Sequence, residues 1–330
     1  MPTALLSPVS SSFGSTLRLP FAILIGYVLA VPALMWLMNL GAYHAWWFSW
    51  WMAAGYHIAI GCLVGVIRVS DGDWRDWLRD RAPWALAFGL AFIPFFTAFT
   101  AWKHGFWRWG FFVWDRPFSH ADRLLHFGRF PHEWLLALTS SPAVLQIFDW
   151  VYLLWGAVIV STLSAVLWLA PPDRCRQYVI TFLATWIVIG SVLAPLLGSV
   201  GPVYYARVVP GPDPYTAIAA QVQGLQAHVI QEWLWIATNT PTFIPVTGIS
   251  AMPSVHIAQA TLVALIAWTS RWWFFRALGL LFLIVLQLST VALGWHYAID
   301  GYVAACLTWI FWRLSAPSGT NRLPIQSQLE

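Results

Sequence analysis

Apolar runs long enough to cross a lipid bilayer recur eight times in this chain of 330 residues: Leu19–Leu40, His44–Ile67, Trp84–Trp102, Val144–Ala170, Tyr178–Ser199, Ala251–Trp268, Trp272–Leu293 and His296–Trp312. About 20 apolar residues span the hydrocarbon layer, where every backbone N–H and C=O must be satisfied inside the protein. Uninterrupted runs of this length meet that condition as helices. The expected fold is therefore all-α, a polytopic transmembrane helix bundle of about eight spans. Charged residues make up only 9% of the chain, against roughly a quarter in a soluble domain, which excludes a soluble or disordered protein. Cys62, Cys175 and Cys306 show neither disulfide nor zinc spacing. The first run lacks a basic leader and is too long for a cleavable signal peptide, so it is expected to be an ordinary span.

Scarce charges make their placement informative. Of 17 basic residues, 16 are Arg and Lys103 is the single Lys. With eight spans, eleven of these cations fall on the face that carries both tails and six on the opposite face. The positive-inside rule then puts both termini in the cytoplasm and the two long loops outside. Scattered cations of this kind are membrane-edge anchors, and no nucleic-acid surface is expected. The tails, 1–15 and 315–330, are polar and expected to be disordered. In the long loops, Ser119–Leu138 reads as an interfacial segment. Thr216–Ala237 places Ile218, Val222, Leu225, Val229 and Trp233 at helical spacing opposite Gln221, Gln223 and Gln231. It reads as an amphipathic helix, packed over the bundle mouth or closing it as a lid.

Within the spans the only carboxylates are Asp149 and Asp300, and each needs a reason to be in hydrocarbon. Asp149 is expected to pair inside the bundle. Asp300 follows His296 by four residues, so the two share a helix face one turn apart. A carboxylate so placed fixes the tautomer of an imidazole. The second constellation, Gly248-Ile249-Ser250-Ala251-Met252-Pro253-Ser254-Val255-His256, lies where an external loop enters the sixth run. Pro and Ser at a helix start leave free N–H groups at the positive end of the dipole, a phosphate cradle. The sixth and eighth helices start on the same face, so Ser254, His256 and His296 are expected to meet at one depth.

The segments 248–256 and STVALGWHYAID (289–300) resemble the type 2 phosphatidic acid phosphatase superfamily, whose second and third motifs are P-S-G-H and S-R-x5-H-x3-D. Pro253, Ser254 and His256 match the second; Ser289, His296 and Asp300 match the third. The extended forms S-A-M-P-S-x-H and H-Y-x-x-D are most similar to the branch of inositol phosphorylceramide synthases and their bacterial relatives. The resemblance implies a six-helix phosphotransferase core over 84–314, preceded by two additional helices in 16–83. It implies a double displacement without cofactor or metal, acting on a membrane lipid phosphoester, with water or a lipid or polyol as acceptor. His296 is then the nucleophile that becomes phosphorylated, Asp300 orients it, and His256 is the acid and base. Ser254 and Ser289 hold phosphate oxygens. The implied compartment is a plasma membrane, the Arg bias pointing to a bacterial inner membrane, with the site on the external face. The pattern departs from the superfamily in two places. Val255 replaces the motif glycine and Thr290 the motif arginine, while the first motif, K-x6-R-P, is missing. A phosphoryl group in transfer needs cations. Arg207, the only basic residue between Tyr178 and Ser270, is the residue expected to supply one, with Arg116, Arg123 and Arg129 as further candidates. Two other classes stay open on the residues alone: a transporter with Asp149, His296 and Asp300 as a proton relay, and a metallohydrolase with His256, His296 and Asp300 as ligands.

Overall fold

The computed structural model describes residues 13–38, 55, 57–65, 74–107, 110, 112–240 and 247–317. Most of the expected second span and nearly all of both tails lie outside the described residues. Among the described residues the chain is all-helical. The helices are α1 (Phe13–Leu37), α2 (57–65), α3 (Trp74–Trp107), α4 (Asp115–Leu125), α5 (Pro131–Thr139) and α6 (Pro142–Leu169). They continue with α7 (Pro172–Leu196), α8 (Thr216–Gln221), α9 (Gln226–Thr238), α10 (Val255–Trp268), α11 (Trp273–Ala292) and α12 (Ala298–Leu314).

Five of these, α1, α3, α6, α7 and α11, are long and apolar enough to cross a membrane. The expected sixth span is shorter as a helix, at 14 residues for α10, whereas α12 keeps the 17 residues of the eighth but begins and ends two residues later. Both start late for the same reason: 251–254 and 293–297 leave helical geometry to form the polar end of the bundle. Helix α3 is longer than its apolar run, and its extra turns carry Arg75, Arg79 and Arg81. Arg81 donates to the carbonyls of Trp168 (3.1 Å) and Ala170 (2.8 Å). A cation there satisfies the last carbonyls of α6 and complements its dipole.

The main core is packed with aromatic rings. Phe92, Phe95, Phe96, Phe182 and Trp186 meet at centroid distances of 4.9–6.3 Å between α3 and α7. His57 of α2 joins this core as a packing residue, its ring nitrogens 2.7 Å from Ser164 Oγ and 2.8 Å from the Ala85 carbonyl. Residues 185–193 of α7 form a π-helical stretch, and Trp102 Nε1 donates to the Ser191 carbonyl there (2.8 Å). Such wide turns are often found beside functional sites, and this one supplies Trp186 and Gly190 to the cavity described below.

Helix α4 is inside-out. Its polar residues Asp115, Ser119 and Asp122 are buried, whereas Leu124 and Leu125 are exposed. The buried side chains hold backbone that no helix can satisfy. Asp115 accepts from Val200 N–H (2.9 Å), Gly201 N–H (3.0 Å) and the Tyr297 hydroxyl (2.8 Å). Asp122 accepts from Ala298 N–H and Ile299 N–H, both at 3.0 Å, and so caps the first turn of α12. Asp149 does the same for α9, accepting from Gln226 and Ala227 N–H at 2.9 Å each. Its partner inside the bundle is thus a helix N-terminus, which explains a carboxylate in the α6 span.

The expected continuous helix over 216–237 is two pieces, α8 and α9, divided at Gly224. The break resets the helical phase. Ile218 and Val222 face inward as their spacing predicts, but Val229 and Trp233 are exposed, and Gln231 of the expected polar face is fully buried. Gln231 Nε2 donates to the Leu293 carbonyl (2.9 Å), which ties α9 to the loop ahead of α12.

Candidate active site

Two non-helical segments, 247–254 and 293–297, meet at one end of the bundle. Gly294 makes the second of these possible. It has φ +74°, and a side chain there would press on Ile218 and Val203. The turn stops α11 and presents His296 to the first turn of α10. His256 Nδ1 lies 3.2 Å from His296 Nε2. His296 Nδ1 lies 2.8 Å from the Ala251 carbonyl and 3.3 Å from Asp300 Oδ2. Both of those neighbours are acceptors, so Nδ1 carries the proton and donates. The lone pair of His296 is therefore on Nε2, directed at His256. Asp300 is held in turn by Tyr297 N–H (2.9 Å).

The histidines open onto a cavity of about 300 Å³ between α3, α6, α7, α9 and α10. Its lining is largely aromatic, with Phe96, Phe99, Trp155 and Trp186, and among these rings it carries Lys103, Ser250, His256 and His296. Lys103 makes no hydrogen bond or ion pair with any described residue. The loop at 248 presses against it. Gly248 has φ +95°, and a Cβ there would lie 2.8 Å from Lys103 Cγ and 2.9 Å from its carbonyl oxygen. His104 Nδ1, 2.8 Å from Thr247 Oγ1, fixes the same loop to α3. The Ser250 hydroxyl is buried and has no hydrogen-bond partner among the described residues.

The other residues expected at a phosphate stand elsewhere. Ser254 is the N-cap of α10, its Oγ accepting from Ile257 N–H (3.3 Å), and it is not part of the cavity lining to which its neighbours Pro253 and Val255 belong. Ser289 is fully buried and donates to the Phe148 carbonyl (2.6 Å). Arg207 is ion-paired with Glu232 and lies over the rings of Tyr204 (5.5 Å) and Trp235 (4.9 Å), outside the cavity lining. Arg116 and Arg123 donate to the carbonyls of Pro210 and Gly128, and Arg129 meets Glu133 at 3.6 Å. Among the described residues, Lys103 is the cation that lines the cavity together with the histidines and has no anionic or carbonyl partner. Its position at the end of an apolar run resembles that of an ordinary membrane-edge anchor, so no sequence signal set it apart.

The frame behind the site is built of buried carboxylates. Burial pushes Asp115 up to about 6 from its ordinary 3.8, opposed by its two backbone donors and by Tyr297. At neutral pH it is still the carboxylate that those donors require. Burial also raises Asp122, against the N–H groups of Ala298 and Ile299 and the nearby His126.

His256, His296 and Asp300 form a line, with Asp300 behind the nitrogen of His296 that points away from His256. Among the described residues, no group of three or more His, Cys, Asp or Glu is arranged to hold a metal ion. No curated protein and no solved structure matches the chain. A family model described as PAP2 superfamily does match, over residues 116–314. That segment is more than half of the chain and contains both histidines and Asp300, while Lys103 precedes it. The apolar helices and this match describe a phosphatase-like membrane protein, and the chain belongs to the PAP2 superfamily.

Proposed function

We propose that the protein is an integral membrane enzyme that transfers or hydrolyses the phosphoryl group of a lipid phosphoester at the external membrane face, through a phosphohistidine on His296. The observation that carries this reading is the His256–His296–Asp300 line opening onto an aromatic cavity that also holds Lys103, a cation with no partner among the described residues. An amphiphile with an anionic head fits a lining of aromatic rings that includes one cation. The cavity lining favours Lys103 over Arg207 for the phosphate.

The phosphorus enters between the two imidazoles, replacing their mutual contact. The lone pair on His296 Nε2 forms the N–P bond as the ester P–O bond breaks. His256, holding a second proton beside the anionic substrate, gives the proton on Nδ1 to the leaving oxygen. In the second half-reaction Nδ1 takes a proton from the acceptor hydroxyl. The acceptor oxygen then forms the new P–O bond, and the N–P bond breaks. Water as acceptor gives hydrolysis. A lipid or polyol hydroxyl gives transfer, the outcome favoured by the likeness to inositol phosphorylceramide synthases. Asp300 and the Ala251 carbonyl keep Nδ1 of His296 protonated and stabilise its cationic form. Lys103 offsets charge on the equatorial oxygens.

Labelled phospholipid should leave alkali-stable label on the wild-type chain and none on His296→Ala, with turnover lost and the fold retained. Turnover by the alanine variant would remove His296 as nucleophile. Vanadate should inhibit and chelators should not. Loss of activity to a chelator, with recovery on adding zinc, would decide for a metallohydrolase.

A further inference from the structure

The second nitrogen of His256 has a partner that no motif announces. Tyr152, in the middle of α6, places its hydroxyl 3.1 Å from His256 Nε2. Its ring is stacked on Trp295 (4.9 Å, 7°) and lies 5.0 Å from the His256 ring at 30°. Trp155, one turn further along α6, donates to the His256 carbonyl (3.2 Å). The imidazole is thus clamped through its ring, its far nitrogen and its backbone from a single helix.

The direction of the hydrogen bonds follows from the far end of the line. His296 Nδ1 donates, so His296 Nε2 accepts, and in the resting protein His256 Nδ1 must be the donor to it. Nε2 of the neutral His256 ring is then an acceptor, and the Tyr152 hydroxyl donates to it. When His256 holds a second proton, Nε2–H needs an acceptor, and the same oxygen can serve. A carboxylate at this place would favour only the charged ring, and a backbone N–H only the neutral one. A hydroxyl both donates and accepts.

We infer that Tyr152 is a positioning residue for acid–base catalysis, satisfying Nε2 of His256 in both protonation states so that Nδ1 always faces the phosphorus. This rests on the phosphotransfer reading above. During turnover the Nε2 proton stays in place, donated to Tyr152, while Nδ1 gives one proton to the leaving oxygen and takes one from the acceptor. No proton passes through the tyrosine.

Tyr152→Phe keeps both ring contacts and removes only the hydroxyl. General acid catalysis contributes about 100- to 10,000-fold, and a misdirected acid forfeits part of it. With an alkyl phosphate, whose leaving oxygen must be protonated, kcat should fall by about 10- to 100-fold with KM within about twofold. With a nitrophenyl phosphate carrying the same chain, whose leaving group needs no proton, kcat should fall less than about threefold. Equal losses on the two esters, no loss on either, or a loss confined to KM would each overturn the inference. Imidazole nitrogen NMR of the full chain in detergent gives a readout that does not need turnover. His256 should show a protonated Nδ1 and a bare Nε2 in the wild type, and a changed tautomer ratio in Tyr152→Phe. If the wild type cleaves neither ester, the proposed function fails. The NMR result then stands alone, and an unchanged tautomer ratio overturns the role of Tyr152.

Discussion

Replacing Lys103 with Met keeps the length and bulk of the side chain and removes its charge. The two consequences have opposite signs. Lys103 shares with the histidines a cavity whose lining includes Phe96, Phe99, Trp155 and Trp186, and no described residue pairs with it. An unpaired cation in such surroundings is a net cost to the fold. Its removal should stabilise the protein by about 1 kcal/mol or more, raising the apparent Tm by roughly 2 °C or more in a chain of this size. For the reaction, a fixed cation on a transferring phosphoryl group in a water-poor site is worth about 3–4 kcal/mol, so kcat/KM should fall about 100- to 1,000-fold. Both are measured on detergent-purified protein, by phosphate or product-lipid release and by thermal unfolding. Activity within about threefold of wild type would mean that the phosphate charge is met elsewhere. Activity lost together with a lower Tm would mean that Lys103 is structural. Either result refutes the assignment.

Two further outcomes test the frame behind the site. Asp122→Ala leaves the N–H groups of Ala298 and Ile299 without acceptors at the buried start of α12. It should cost about 2 kcal/mol or more, seen as a lower Tm together with reduced kcat, because the same turn carries Asp300; Asp122→Asn should recover part of both. Asp115, held at about 6 against an ordinary 3.8, binds its proton more tightly in the folded than in the unfolded chain. Its contribution therefore falls as pH rises from about 4 to 6, by roughly 3 kcal/mol, and is level above that. Apparent Tm measured across this range should show the decline in the wild type and a flatter profile in Asp115→Asn; a rise with pH would contradict the shift.

What could be read from the sequence was local or dictated by the bilayer. The long spans follow from hydropathy because hydrocarbon offers no alternative partner for the backbone. His296 and Asp300 do meet, at 3.3 Å, but not on one helix face as their spacing suggested: His296 lies in the non-helical segment ahead of α12, and the turn at 293–297 brings it back to the carboxylate. The meeting of His256 with His296 followed from helix direction alone. Contacts between distant segments left no such trace. Lys103 is brought beside the proposed site only by the loop at 248 folding against it. Tyr152 sits in an aromatic-rich span where one more ring carries no signal. Ser289 matches a family motif, yet its hydroxyl is turned to the Phe148 carbonyl, a neighbour that no spacing rule describes. The divided helix at 216–238 failed the periodicity reading because Gly224 resets the phase, so each half satisfies a different surface.

Helix α4, with its carboxylates inward and its leucines outward, has a practical consequence for anyone altering this molecule. Ordinary surface engineering adds charge where a helix meets solvent and grease where it meets protein; at this helix that recipe would strip the acceptors from 200–201 and 298–299. A water-soluble redesign should instead change Leu124, Leu125 and the 91%-exposed Phe127, leaving Asp115, Ser119 and Asp122 untouched. Substitution tolerance along 115–127 should therefore run opposite to hydropathy, with charged replacements accepted at the leucines and apolar ones rejected at the aspartates.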